Sequence, residues 1–170
     1  MSILAHPETY YGFTGWTGTT SSVANPFGVT MIRAQELWAG FTPLRTSSGV
    51  PQWWLAQYGW TNDFETAVAA DSDQDGAPTG DEYFAGTIPT NELSVLHLLT
   101  TGGGEEPVML FWRAMADRTY TLQCSTNLLT GLTNSLFNFY TAISMNMVLE
   151  DDTHTNEQSL YYRIKVRYDE

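Results

Sequence analysis

The stretch Asp71-Ser72-Asp73-Gln74-Asp75-Gly76-Ala77-Pro78-Thr79-Gly80-Asp81-Glu82 leaves this chain little local choice. It sets carboxylates at the first, third, fifth and twelfth positions of a loop, with glycine at the sixth. Four like charges in so short a span repel one another unless a cation gathers them. A loop folded around a calcium ion needs this spacing. The side chains of Asp71, Asp73 and Asp75 are expected to converge, and Gly76 to allow the sharp turn, because glycine enters positive φ without steric cost. The Ala77 carbonyl points inward in such a loop, Thr79 takes the position from which a water bridges, and Glu82 closes the shell with both oxygens. A donor set of oxygens, without His or Cys, selects a hard cation and favours calcium over zinc. The other origin of such a stretch is an acidic surface turn.

Charge narrows the partners. The 170 residues carry seven Lys and Arg against 19 Asp and Glu, a formal net charge of -12. No basic run exists to meet nucleic-acid phosphates. Cys124 has no second cysteine with which to form an intramolecular disulfide. No apolar run approaches the ~20 residues of a membrane-spanning helix, so no membrane insertion is expected. Residues 1–20 lack the charged start and apolar stretch of an export signal. Taken with the other features, this is expected of a segment cut from a longer exported chain, placed outside the cell or on its surface.

The chain reads in three parts: 1–42, 43–92 and 93–170. In the first, Tyr10-Tyr11-Gly12-Phe13-Thr14-Gly15-Trp16 alternates large apolar residues with small ones, as a half-buried strand does. Val29–Ile32 and Leu37–Phe41 are expected as two further strands. Phe13-Thr14-Gly15-Trp16-Thr17-Gly18, Asn25-Pro26, Met31 and Ala39-Gly40-Phe41 resemble the listerial internalin B-repeat, a small β module, over its later part.

In the middle part, Pro51 suits a first helical turn, and Trp53, Trp54, Leu55 and Tyr58 give that helix an apolar side. Asp63 is expected to cap a second helix running through Glu65 to Ala70. Asp81 to Ala85 starts a third, stopped by Gly86. Pro78 at the eighth loop position has no N–H to offer a sister loop, so the site is expected to be solitary. Trp54-Leu55-Ala56-Gln57-Tyr58-Gly59, the acidic loop, Glu82-Tyr83-Phe84-Ala85-Gly86-Thr87, Pro89-Thr90-Asn91 and Ser94-Val95-Leu96 resemble, in that order, the calcium-binding segment near the C-termini of large secreted bacterial proteins. That segment is akin to thrombospondin type 3, dockerin-like and EF-hand-type loops. The resemblance implies calcium held by Asp71, Asp73, Asp75, Ala77 and Glu82. Ile88 stands where the family carries an acidic residue before its proline, which removes support for a second site downstream.

Residues 93–170 are expected as antiparallel strands forming a β-sandwich. Val108–Trp112 is densely apolar. Tyr120, Leu122 and Cys124 alternate with polar residues, as do Tyr162, Ile164, Val166 and Tyr168 with Arg163, Lys165 and Arg167. Phe137, Phe139 and Ile143 lie between. Trp112, Arg118-Thr119-Tyr120, Ser125-Thr126-Asn127-Leu128 and Tyr161-Tyr162-Arg163-Ile164 resemble the terminal β domain of the same secreted proteins.

Other residues read more plainly. His6, His97 and His154 stand in three separate contexts, with His97 expected on a strand. Cys124 is expected as an inert core thiol. Arg163, Lys165 and Arg167 are expected as a solvated stripe, although such a stripe also suits an acidic partner. Trp16, Trp38, Trp53 and Trp54 are expected in apolar packing, with stacking on sugar rings as the rival use. Glu105-Glu106 and Glu150-Asp151-Asp152 are expected in exposed loops, away from the burial that splits catalytic pKa values. Neither a phosphate loop nor an oxyanion motif is present in the sequence.

The expectation is therefore a mainly β chain: a small N-terminal β-repeat, a short helical calcium-loop segment and a C-terminal antiparallel β-sandwich. Its expected function is that of a non-catalytic, calcium-stabilised structural or adhesion module of an extracellular bacterial protein. Two alternatives stand beside it, a carbohydrate-binding accessory module of a secreted hydrolase and a self-assembling surface or filament subunit. Expected partners are calcium, neighbouring modules or copies of itself, and in the alternative reading carbohydrate.

Overall fold

A computed structural model describes residues 1–132, 134–141, 146–155 and 157–168. The chain is mainly β, built from small antiparallel sheets and three short helices. It divides into two compact units, Met1–Ala70 and Asp71–Glu170. The division falls inside the 43–92 segment and places the acidic loop at the start of the second unit.

In the first unit, β1 (Ser2–Ile3) pairs with β3 (Phe27–Gly28), and β2 (Tyr11–Gly18) pairs with β4 (Leu37–Pro43). A bulge between Phe13 and Gly15 shifts the second pairing. Trp16 is buried and its indole N–H donates to the Ala24 carbonyl at 3.2 Å. Phe13 packs on Trp16 and on Phe41, with ring centroids 5.6 and 6.0 Å apart. The expected strand at Val29–Ile32 does not form. Pairing stops at Gly28, and Met31 and Ile32 stand 54% and 84% exposed, with no face to bury.

Two helices follow, α1 (Gln52–Gln57) and α2 (Phe64–Ala69). Pro51 precedes α1 with φ near -66°, as its ring demands, and Leu55 is fully buried. Burial of that one leucine stabilises by about 1.5–3 kcal/mol. Asp63 does stand before α2, but in a left-handed conformation (φ 49°), and its side chain makes no capping hydrogen bond. The tie is made instead by Glu65, which accepts from the Ser47 N–H at 2.8 Å and the Ser47 hydroxyl at 2.7 Å.

The second unit opens with the acidic loop and α3 (Thr79–Ala85). Its strands are β5 (Leu98–Gly103), β6 (Glu106–Arg113), β7 (Arg118–Ser125), β8 (Asn134–Thr141), β9 (Asn146–Asp151) and β10 (Tyr161–Tyr168). They form two antiparallel sheets in the orders β5-β6-β9 and β10-β7-β8. Val108, Leu110 and Trp112 from one sheet meet Tyr120 and Leu122 from the other, with Leu149, Ile164 and Val166 packed against them. Burial alternates along β6, β9 and β10, so each of these strands turns one face to the core and the other outward. Tyr120 is 1% exposed, and its hydroxyl accepts from the Met115 N–H at 2.9 Å, so the buried oxygen has a partner. Phe137 and Phe139 fall on β8, whereas Ile143 lies outside the described residues.

Three further expectations change. His97 is exposed and precedes β5 rather than lying on a strand. Trp38 is 56% exposed, not packed away. Asp151 ends β9 and is 3% exposed, so the acidic run 150–152 is not a solvated loop.

Candidate metal centre

The loop turns because its own carboxylates hold its backbone. Asp71 accepts from the Gln74 N–H at 2.8 Å on one oxygen and from the Gly76 N–H at 3.0 Å on the other. Asp73 Oδ1 accepts from the Asp75 N–H at 3.3 Å, and Asp75 Oδ1 from the Ala77 N–H at 2.7 Å. Gln74 and Gly76 both take positive φ, 66° and 98°. Within this wrapping, Asp71, Asp73 and Asp75 bring one carboxylate oxygen each within 4.8 Å of one another.

Glu82 lies outside that 4.8 Å grouping, on the first turns of α3, and is fully buried. One of its oxygens accepts from the Thr87 hydroxyl at 3.2 Å. Burial first, then the charge of Asp73, pushes the Glu82 pKa up to about 7; the Thr87 hydrogen bond opposes this, and Asp75 and Asp71 add to it. Ala77 is half-buried beside them. Thr79 is fully buried, and its hydroxyl pairs with that of Ser72 at 3.2 Å.

Three carboxylate oxygens remain without a donor among the described residues: Asp73 Oδ2, Asp75 Oδ2 and Glu82 Oε2. All three are out of reach of solvent. Buried acceptors normally have partners, and an unpaired buried charge costs several kcal/mol. Three such oxygens on one loop and its helix form a donor set that a small cation would complete. An all-oxygen set of this kind suits a hard divalent cation, the class to which calcium and magnesium belong.

A second polar cluster escaped the sequence reading. Tyr162 donates to Asp151 Oδ2 at 2.8 Å, the Thr153 hydroxyl donates to Oδ1 at 2.8 Å, and His154 Nδ1 lies 2.9 Å from the same carboxylate. His154 Nε2 lies 3.9 Å from Cys124 Sγ. Burial alone would raise the Asp151 pKa, but the hydrogen bonds from His154, Thr153 and Tyr162 outweigh it and hold the carboxyl below its usual range. Burial, then the Asp151 charge, pushes the Cys124 thiol up. A fully buried thiol held protonated is a poor nucleophile, so this order of groups braces β7, β9 and β10 together. The signal was His154 three residues beyond Asp151, but its meaning depends on Tyr162 facing Cys124 across two strands.

No family model matches this chain, and neither a curated protein nor a solved structure matches it.

Proposed function

We propose that residues 71–82 are a calcium-binding loop, with Asp71, Asp73, Asp75, the Ala77 carbonyl and Glu82 as its ligands. In this reading the chain is a non-catalytic structural or adhesion module of an extracellular bacterial protein. The observation that carries it is the set of three buried, donor-less oxygens on Asp73, Asp75 and Glu82. Calcium would supply two positive charges to a pocket of carboxylates that otherwise repel. Asp71 spends both oxygens on backbone N–H groups and so shapes the loop as well as charging it. Asp73 and Asp75 turn one oxygen to the backbone and keep the other for the ion. Glu82 would bring α3 into the site and so tie the loop to that helix within the second unit. Extracellular modules of this kind hold calcium with dissociation constants of about 10⁻⁴–10⁻³ M, matched to a millimolar medium.

Calorimetric titration with calcium, beside Asp73→Ala, tests the reading. One site per chain and a higher melting temperature are expected for the wild type, and loss of both for the variant. Equal melting curves in calcium and in chelator would overturn it.

A second reading, carbohydrate binding, is favoured by one observation: Trp38 stands 56% exposed on β4. Binding to a glycan array that vanishes in Trp38→Ala would establish it.

A further inference from the structure

One arginine grips the helix that carries Glu82. Arg118, the first residue of β7, donates from Nε to the Phe84 carbonyl at 2.7 Å and from Nη2 to the Tyr83 carbonyl at 2.8 Å. Those are the two residues that follow Glu82 on α3. The same guanidinium lies 3.8 Å from the ring centroid of Tyr168, on β10, and 5.9 Å from that of Tyr83. The two tyrosine rings meet edge-on at 5.5 Å. Arg118 and Tyr168 also face each other in the β7–β10 ladder. Gly86, which ends α3, lies close in: a Cβ there would stand 2.9 Å from Met115 Cγ and 3.7 Å from Arg118 Nε.

A helix of seven residues does not hold its own orientation, because so few hydrogen bonds do not offset the cost of nucleation. Its setting is imposed from outside, by the packing of Tyr83 and by this fork. Only arginine reaches two adjacent carbonyls while lying flat on a ring; lysine offers a point charge without the fork.

Resting on the calcium reading above, we propose that Arg118 is a positioning residue for the metal site. It fixes the α3 backbone so that Glu82 is presented to the aspartates, and it makes ion binding and the docking of β10 one linked equilibrium. Linkage is reciprocal: whatever Arg118 and Tyr168 add to calcium affinity, calcium adds to the hold on β10.

The test is calorimetric calcium titration of the wild type, Arg118→Ala and Arg118→Lys, with melting curves in calcium and in chelator. Expected are one site in the wild type, a dissociation constant raised about tenfold in R118A, and no rescue in R118K. The calcium-induced rise in melting temperature should shrink in both variants. Amide exchange at residues 161–168 should slow on adding calcium to the wild type and not to R118A. If R118A melts lower by the same amount in calcium and in chelator, and binds as the wild type does, Arg118 is only a brace and the inference falls while the metal reading stands. Absence of binding by the wild type overturns the metal reading itself. Should R118A fail to fold, Tyr168→Leu carries the test: weakened affinity supports the linkage, and unchanged affinity sinks it.

Discussion

Glu82 shows what a single side chain discloses when its surroundings contradict its chemistry. It is a carboxylate moved wholly out of water, raised to a pKa of about 7 by burial and by Asp73, with Oε2 left without a donor. Glu82→Gln keeps the shape and deletes the charge, so two opposite shifts are expected. In chelator the variant should melt higher than the wild type, and its response to calcium should be lost; paired thermal melts check both. Asp151 is the reverse case, a buried carboxylate with its partners in place. Its pKa lies below the ordinary value because the hydrogen-bonded ionised form outweighs the cost of burial. Its contribution is therefore complete above the unfolded value of 3.8 and is lost as pH falls through the depressed folded value. Asp151→Asn should flatten that acid limb and lower stability near neutrality by about 1–3 kcal/mol, measured by urea unfolding from about pH 2 to 6. The two residues differ in legibility for one reason. Glu82 belongs to a pattern contained within 71–82, whereas Asp151 acquires meaning from Cys124 and Tyr162, which only strand pairing brings near.

Elements whose residues share one local period were readable. The alternations at Tyr120–Cys124 and Tyr162–Tyr168 became β7 and β10, because burial of one face follows directly from a period of two. Gly86 was readable as a helix stop, and it closes α3 at φ 76°. Val29–Ile32 misled, because β-branched composition alone does not supply a neighbouring strand. Asp63 misled likewise, since a residue of the right type in a left-handed conformation aims its oxygen elsewhere. Two glycines allow a graded test of this scale. Gly76 (φ 98°) has open space where a Cβ would go, so Gly76→Ala adds only backbone strain, about 1–2 kcal/mol. Gly86→Ala adds a collision with Met115 Cγ at 2.9 Å and should cost clearly more. Chemical unfolding of both variants in saturating calcium gives the comparison.

Across the whole chain, the order of strands was not legible. Val108 pairs with Asp151 and Cys124 with Tyr162, and no local pattern announces contacts so distant in sequence. The chain lays β5 and β6 in one sheet, crosses for β7 and β8, returns for β9 and crosses again for β10. The excess of negative charge was legible, and it sets how the molecule should answer its medium. With a net charge of -12, the metal-free protein should gain stability as sodium chloride is raised, because salt screens repulsion among exposed carboxylates. In the proposed reading, calcium at a hundredfold excess over its dissociation constant would add about 2.7 kcal/mol, a rise on the order of 10 °C for a unit of this size. The salt effect should then be smaller, which melting curves over a salt series will measure.

The sealed position of Asp73 Oδ2, Asp75 Oδ2 and Glu82 Oε2 carries a kinetic corollary. In the proposed reading, an ion held by these three oxygens would leave when the loop swings open, and not by stepwise substitution. Stopped-flow withdrawal by a fluorescent chelator should then run at a single rate that more chelator does not accelerate, and a rate rising in proportion to chelator would show a site open to the medium.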